Sequence, residues 1–367
     1  MPEMMTKRET YLRAMRNEAV DDLVWAPNFD YWLSVNTAEG TLPARYSGMH
    51  RNDIVRSVGG TIWNRAWGLS PEIDESVKVS DWQQGDYLIQ EYITPKGTIR
   101  QVLGKTEGRH RTKGVVEHFV KDLDTLRVMK YVVEATNWQV DYAPVAKALE
   151  ETGSDGIVLH QCFCVPFLQF AKLDAGYADG IYIWNDYREE VDALIDVYFK
   201  QFLKVFALLA DGPADVLAIG DNMDGIMISP VIFKEYAIPF YQEVKKITLS
   251  KGKILQAHWC GRTESLLGLV PGSGIDMLEA IVTKPMSSIT ISEALDLVRG
   301  EVVIQGGIPS VLVCNEGCSD EQFDRYIEDE ILPLAGRKGF ILGMGDNVPP
   351  NAVFSRVEKV ASLIKKK

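Results

Sequence analysis

From Gly156 onward the chain repeats one pattern that leaves few folds open: a short apolar run, a longer amphipathic stretch, then another apolar run. The runs are Gly156–Phe163 (GIVLHQCF), Val216–Met223 (VLAIGDNM), Lys253–Cys260 (KILQAHWC), Ile275–Ile281 (IDMLEAI), Val302–Ile308 (VVIQGGI) and Phe340–Asp346 (FILGMGD). Between them, stretches such as Val231–Ser250, Ser292–Arg299, Asp320–Ala335 and Asn351–Lys366 carry apolar residues at intervals of three and four, the spacing of one helix face. In Asp320–Ala335 that face would be Phe323, Ile327, Ile331 and Leu334. Strands alternating with helices predict βα units and a parallel sheet. Further strands near Val24 (VWAPN) and Val115 (VVEHFV) would complete the eight of a closed (β/α)8 TIM barrel.

The first third is less regular. Tyr87–Tyr92 and Thr98–Leu103 flank Thr94-Pro95-Lys96-Gly97, which predicts a β-hairpin inserted in or beside the barrel. No linker-like tract, low-complexity run or internal repeat divides the chain. The expected organisation is a single elaborated α/β barrel domain over 1–367, with an N-terminal elaboration and the first strands in 1–140 and regular βα units in 141–367.

Composition narrows the partners. Lys plus Arg number 39 against 51 Asp plus Glu, a net charge of −12, and the one basic run is Lys365-Lys366-Lys367. A nucleic-acid binder would carry a basic stripe, so neither nucleic acid nor an anionic membrane is expected as a partner. The charged N-terminal segment and the lack of any 18-residue apolar run predict neither a signal peptide nor a membrane span. Glycine (30) and proline (16) are at ordinary globular levels, against collagenous or disordered classes. A chain this long buries roughly three quarters of its unfolded surface without disulfides. The five Cys at irregular spacing therefore fit a reducing compartment, and a cytoplasmic location is expected.

In such barrels the reactive groups stand at the C-terminal ends of strands. There the runs deliver Asp221 with Asp224 following, His258-Trp259-Cys260-Gly261, Glu279, and Met344-Gly345-Asp346. His258 and Cys260 are two apart, so on a strand they share a face, and an imidazole with a thiolate suits a borderline-soft cation, zinc before others. Glu279 ends the next run, about 5 Å away at normal strand spacing, and could add an oxygen ligand while a fourth position stays open. The packing alternative is a core histidine, an inert buried thiol and a Glu paired with a nearby cation.

Weaker signals have equally plain alternatives. His160, Cys162 and Cys164 end another run, where His160 and Cys162 share a parity and could line a pocket or simply pack. Asp221 and Asp224 could orient a substrate or a ligand histidine, or cap a helix. Trp32, Trp63 and Trp67 could sandwich an aromatic substrate or belong to the core. Cys314 and Cys318 have near-zinc spacing without a second pair.

Several of these segments carry a resemblance: Gly220-Asp221-Asn222, Ile228-Ser229-Pro230, Pro239, His258-Trp259-Cys260-Gly261, Gly274-Ile275-Asp276 and Gly306-Gly307-Ile308. The chain resembles the uroporphyrinogen decarboxylase-like superfamily from about Thr6 to Ile364. With the Thr94-Pro95-Lys96-Gly97-Thr98 hairpin and the opening Lys7-Arg8-Glu9, it resembles most that superfamily's corrinoid-dependent methyltransferase branch of the O-demethylase type. The fold implied is again an α/β barrel. Decarboxylases proper carry an Arg-rich MRQAGRYLPEY-like signature that holds substrate carboxylates, whereas here 28–43 contains no Arg before Arg45. The superfamily's zinc methyltransferases carry His-x-Cys, a following Glu, and a Cys in a GCG-like context after the last strand. His258, Cys260 and Glu279 match the first three positions, and Met344 stands at the fourth.

Fewer thiolates leave zinc more Lewis-acidic, which favours activation of an ether oxygen over activation of a thiol. The resemblance thus implies a zinc enzyme that cleaves a methyl ether, an aryl methyl ether by preference, and hands the methyl to the Co(I) corrinoid of a separate corrinoid protein. No His lies in the Asp-x-His-x-x-Gly context of a cobalamin domain, so the corrinoid is expected on that partner, with the methyl donor as small-molecule substrate and a homodimer left open. Asp221 and Asp346 are the expected catalytic carboxylates, and Trp32, Trp63, Trp67, His160 and Met344 the expected substrate contacts. The alternatives are a methylcorrinoid:thiol (coenzyme M-like) methyltransferase, a decarboxylase-like enzyme and a non-catalytic tetrapyrrole-binding relative.

Overall fold

All six apolar runs become strands, and a seventh strand from the first third joins them. In the computed structural model, which describes residues 5–105 and 113–365, β1 (Ile62–Ala66), β2 (Gly156–Cys162), β3 (Val216–Ile219), β4 (Ile254–His258), β5 (Met277–Ile281), β6 (Val303–Pro309) and β7 (Phe340–Gly345) form one sheet in that order. Every neighbouring pair is parallel. His110, Lys366 and Lys367 lie outside the described residues.

The chain divides into two compact units, one of Met1–Trp67, Tyr142–Cys162 and Ala210–Lys367, the other of Gly68–Asp141 and Phe163–Leu209. The first unit holds the parallel sheet. Trp63, Ile157, Leu159, Val216, Ala218, Ile254, Met277, Val303 and Ile341 meet in a single buried cluster, so all seven strands turn one face toward the same core and the sheet curls around it. The helix Lys7–Met15 closes the lower end of this core with Tyr11, Leu12, Ala14 and Met15. It starts at a capping box in which Thr6 and Glu9 satisfy each other's backbone N–H groups. Arg8 ties it down through an ion pair with Asp215. The opposite strand faces pack outward, Val158 for instance against Ala66, Val145 and Ala214.

The Val24 run is a single bridge rather than a strand. Trp25 pairs in parallel with Leu342 of β7. The Ala26 N–H donates to the Leu342 carbonyl at 2.8 Å, the Leu342 N–H to Val24 at 2.9 Å, and the Thr61 N–H, just before β1, to Trp25 at 2.7 Å. Pro27 has no N–H with which to extend the ladder.

The expectation of a barrel strand at Val115 is overturned: Lys113–Glu117 is the last strand of an antiparallel sheet in the second unit, paired with Gly97–Lys105. Antiparallel neighbours close in sequence close a short loop, whereas a parallel barrel strand needs a long crossover. That sheet runs Lys78–Gln84, Tyr87–Thr94, Gly97–Lys105, Lys113–Glu117. Thr94 faces Gly97 across a two-residue turn, as the Pro-Lys-Gly sequence predicts, with Gly97 at φ 137°. A shorter antiparallel pair, Leu69–Ile73 with Thr136–Val140, accompanies the helix Leu123–Glu134 and a π-helix over Gln169–Asp174. Among the described residues no helix is long and apolar enough to cross a membrane.

Candidate active site

Strand parity decides which side chains reach the upper end of the curled sheet. On β4, Ile254 points into the core, so Gln256 and His258 follow it on the same face. On β5, Met277 does the same and Glu279 follows. His258 and Glu279 stand directly opposite in the β4–β5 register. The His258 Nδ1–H donates to Glu279 Oε2 at 2.5 Å. Burial pushes the imidazole toward its neutral form, but the Glu279 carboxylate and a hydrogen bond with Cys260 outweigh it, raising His258 to about 10. Burial likewise works against ionisation of Glu279, and His258 first and Arg65 second overcome it, so the carboxyl lies below its ordinary range. The two form a buried imidazolium–carboxylate pair.

Three more groups surround the pair. Arg65 of β1 brings Nη2 to 3.4 Å from Glu279 Oε2 while its guanidinium lies over the Trp63 ring, 4.8 Å from the centroid. Asp346, directly after β7, places Oδ1 3.9 Å from His258 Nε2. Desolvation pushes its carboxyl up and the Glu279 charge adds to that, against the opposing pull of His258. Beneath Glu279, Gln305 of β6 lies in register with it and accepts a hydrogen bond from the buried Tyr11 hydroxyl at 2.5 Å. At Gly343 a Cβ would sit 3.0 Å from Gln305 Cγ, so glycine leaves the room that this side chain occupies.

The backbone around the rim is unusual. Asn222 (φ 48°), Ala280 (φ 71°) and Asp346 (φ 96°) are non-glycine residues in the left-handed region, each at or just past the end of a sheet strand. Ala280 follows Glu279 and coincides with a register shift between β5 and β6. The Asn222 N–H donates to the His258 carbonyl at 3.0 Å, and the Trp259 N–H to the Glu279 carbonyl at 2.8 Å. Such conformations cost roughly 1–3 kcal/mol each and concentrate where side chains must be aimed for function.

The structure therefore brings His258, Cys260, Glu279 and Asp346 together, sets Trp63 behind them against Arg65, and gives the other expected residues different partners. Asp221 is fully buried and accepts a hydrogen bond from the Tyr241 hydroxyl at 2.5 Å. Asp224 accepts from the Ile226 and Arg262 N–H groups, bracing a turn and a neighbouring loop rather than capping a helix. His160 shares the face of Val158, not that of Leu159, and packs edge-on to Tyr142 with neither ring nitrogen hydrogen-bonded. Burial lowers it to about 4. Met344 shares the parity of Leu342 rather than of the core residue Ile341, so the pleat turns it away from His258 and Glu279. Trp32 is stacked on Phe354 at 4.1 Å in an aromatic core, Trp63 donates its indole N–H to the Ala26 carbonyl at 3.2 Å, and Trp67 is half-exposed. Cys314 and Cys318 belong to a loop whose carbonyls wrap the Arg356 guanidinium, and burial raises both thiols. Arg65, Tyr11 and Gln305 carry no sequence signal of their role.

The sequence profile of the uroporphyrinogen decarboxylase (URO-D) family matches residues 166–367, a span that includes β3 to β7 and with them His258, Cys260, Glu279 and Asp346. The chain belongs to the URO-D family. Among solved structures, a methyltransferase from Methanosarcina mazei superposes over 99% of this chain and 99% of its own at a TM-score of 0.62 and 14% identity, a likeness of fold. A D-psicose 3-epimerase from Clostridium cellulolyticum H10 covers 61% of this URO-D chain and 82% of its own at a TM-score of 0.34 and 10% identity, too distant to argue from. No curated protein matches the sequence.

For a zinc ion the donor chemistry of this URO-D rim is apt: one imidazole, one thiol and one carboxylate on adjacent strand ends. Among the described residues, however, no three His, Cys, Asp or Glu side chains already converge as a metal site. His258 and Glu279 satisfy each other instead.

Proposed function

We propose that this URO-D family member is a methyltransferase that cleaves a methyl ether, by preference an aryl methyl ether, and passes the methyl group to the Co(I) corrinoid of a separate protein. The observation that carries this reading is the His258–Glu279 pair, in register at 2.5 Å on the strand-end rim with Cys260 and Asp346 beside it. His258, Cys260 and Glu279 would hold zinc, which when bound supplies Lewis acidity toward an ether oxygen. Binding there would require a neutral imidazole, so zinc would compete with the proton between His258 and Glu279. Arg65 holds the Glu279 carboxylate from the side. Asp346, whose carboxyl is pushed up and faces His258, delivers a proton to the departing oxygen.

Decarboxylation is the weaker reading, since Arg51 is spent on Asp30, Asn64 and the Trp63 carbonyl, and Arg65 on Glu279. Co(I) survives only under reducing conditions, which supports a cytoplasmic setting.

The test combines the zinc-loaded protein, a methoxylated arene and a reduced corrinoid protein, with methyl-cobalt formation followed by absorbance. The expected result is one zinc per chain and methyl transfer, both lost in His258→Ala and Cys260→Ser. Full zinc content and full transfer in both variants would sink the assignment. Transfer only from methyl-cobalt to a free thiol would place the chain on the opposite side of the corrinoid.

A further inference from the structure

Within the second unit lies a cavity of about 230 Å³. Aromatic rings make up much of its wall, among them Tyr92, Phe119, Trp138, Phe163 and Phe202. They are locked in place by packing on one another: Tyr92 on Phe119 at 5.1 Å, Trp138 edge-on to Phe163 at 4.6 Å, and Phe163 stacked on Phe202 at 4.3 Å. Into this apolar wall the chain sets one carboxyl group, Asp174, and among the described residues no Lys, Arg or His lines the cavity.

Asp174 is held there by construction. The π-helix Gln169–Asp174 brings its first and last residues onto one face, and Gln169 Nε2 donates to Asp174 Oδ1 at 2.9 Å. The Tyr198 hydroxyl donates to Asp174 Oδ2 at 2.7 Å. Two neutral donors orient the carboxyl but leave its charge uncompensated, and burial raises it to about 7. Each carboxylate oxygen retains acceptor capacity. The faces of aromatic rings are electron-rich and attract cations, most strongly when the cation is desolvated. An oriented, unpaired carboxyl inside an aromatic wall is therefore complementary to an organic cation and hostile to an anion. Size points the same way, because a dry cavity of about 150 Å³ already accepts benzene, leaving room here for one ring and a short side chain.

We propose that this cavity is a binding site for a small arylalkylammonium ion, its ring against the aromatic wall and its ammonium group on Asp174. The proposal uses none of the residues invoked for methyl transfer.

Titration calorimetry of the full-length protein at pH 8 with benzylammonium chloride, and with the neutral isostere benzyl alcohol, tests it. Benzylammonium should bind at least about tenfold more tightly than the alcohol, a difference of about 1.4 kcal/mol. The indole N–H resonance of Trp138 should shift on binding. Asp174→Asn should bring the two affinities together without abolishing binding of the alcohol. Should that variant fail to fold, the comparison of the two ligands on the unmodified protein, read at Trp138, still decides. Equal affinities, no detectable binding of benzylammonium, an unmoved Trp138 resonance, or an ammonium preference that survives Asp174→Asn would each overturn the proposal.

Discussion

Asp174 and His160 are buried titratable side chains that answer acid in opposite directions. Burial raises Asp174 from 3.8 to about 7, so between those values the folded chain binds a proton that the unfolded chain has lost, and stability falls as the pH rises through this window. Burial lowers His160 from 6.5 to about 4, so there the unfolded chain binds the extra proton and stability falls as the pH drops. The Asp174 shift is worth about 4 kcal/mol at most. Denaturation followed from pH 4 to pH 7 should therefore show Asp174→Asn gaining on the parent as the pH rises. Parallel curves for the two proteins would mean that Asp174 is not protonated in the folded state near neutral pH. Legibility in the sequence follows the same local logic. His258, Cys260 and Glu279 were readable because two-residue spacing and strand-end position are local facts. Arg65 was not, since it approaches Glu279 from 214 positions away on a strand with little pattern of its own. His160 and Met344, the expected substrate contacts on these strands, point away from the rim pair. Their strands are apolar at nearly every position, buried on both faces, so no alternation in the sequence reveals which face is inner.

At the level of elements, the predicted helix face of Phe323, Ile327, Ile331 and Leu334 is buried, even though the segment passes from α-helix into a π-helix at Ile327–Ile331 and then a 3-10 turn. The apolar run at Ile275 yields a strand only from Met277. Asp276 is occupied instead in accepting from the Leu255 N–H at 2.8 Å and pairing with Lys245 at 2.5 Å. The Val115 run does form a strand but pairs in the antiparallel sheet, because a short apolar run announces a strand and not its partner. The β1–β2 junction shows how a single residue can govern such a pairing. Ile62 faces Gly156 in register, and a Cβ at Gly156 would lie 1.8 Å from the Ile62 carbonyl oxygen. Nothing flexible is there to yield, because the obstacle is backbone. Gly156→Ala should cost about 2–4 kcal/mol in chemical denaturation, as overpacking against an immovable neighbour does. A loss below about 0.5 kcal/mol would show that β1 can slide on β2 without penalty.

On the scale of the whole molecule, the proposed transfer requires a large acidic protein to admit a corrinoid domain to the rim where His258 and Glu279 stand. The loop after β3 and the start of the following helix carry Ile226 at 63% exposure, Met227 at 40% and Val231 at 69%, and the loop after β5 adds Met286 at 38%. Apolar side chains grouped on strand-end loops are the kind of surface that a docking partner would cover. Leu249 is as exposed, at 67%, but lies in the last turn of the helix Ile238–Ser250, where the chain has run back toward the start of β4. If the corrinoid protein docks over the rim, Ile226→Asp with Val231→Asp should raise the KM for that protein about tenfold or more, the cost of losing a contact worth about 1.4 kcal/mol. Zinc content and affinity for the methyl donor should not change, because neither residue touches the His258–Glu279 pair. Leu249→Asp is the matched control and should leave the KM as it was. A double variant with unaltered KM, or a Leu249→Asp variant impaired to the same degree, would show that the partner approaches from another side.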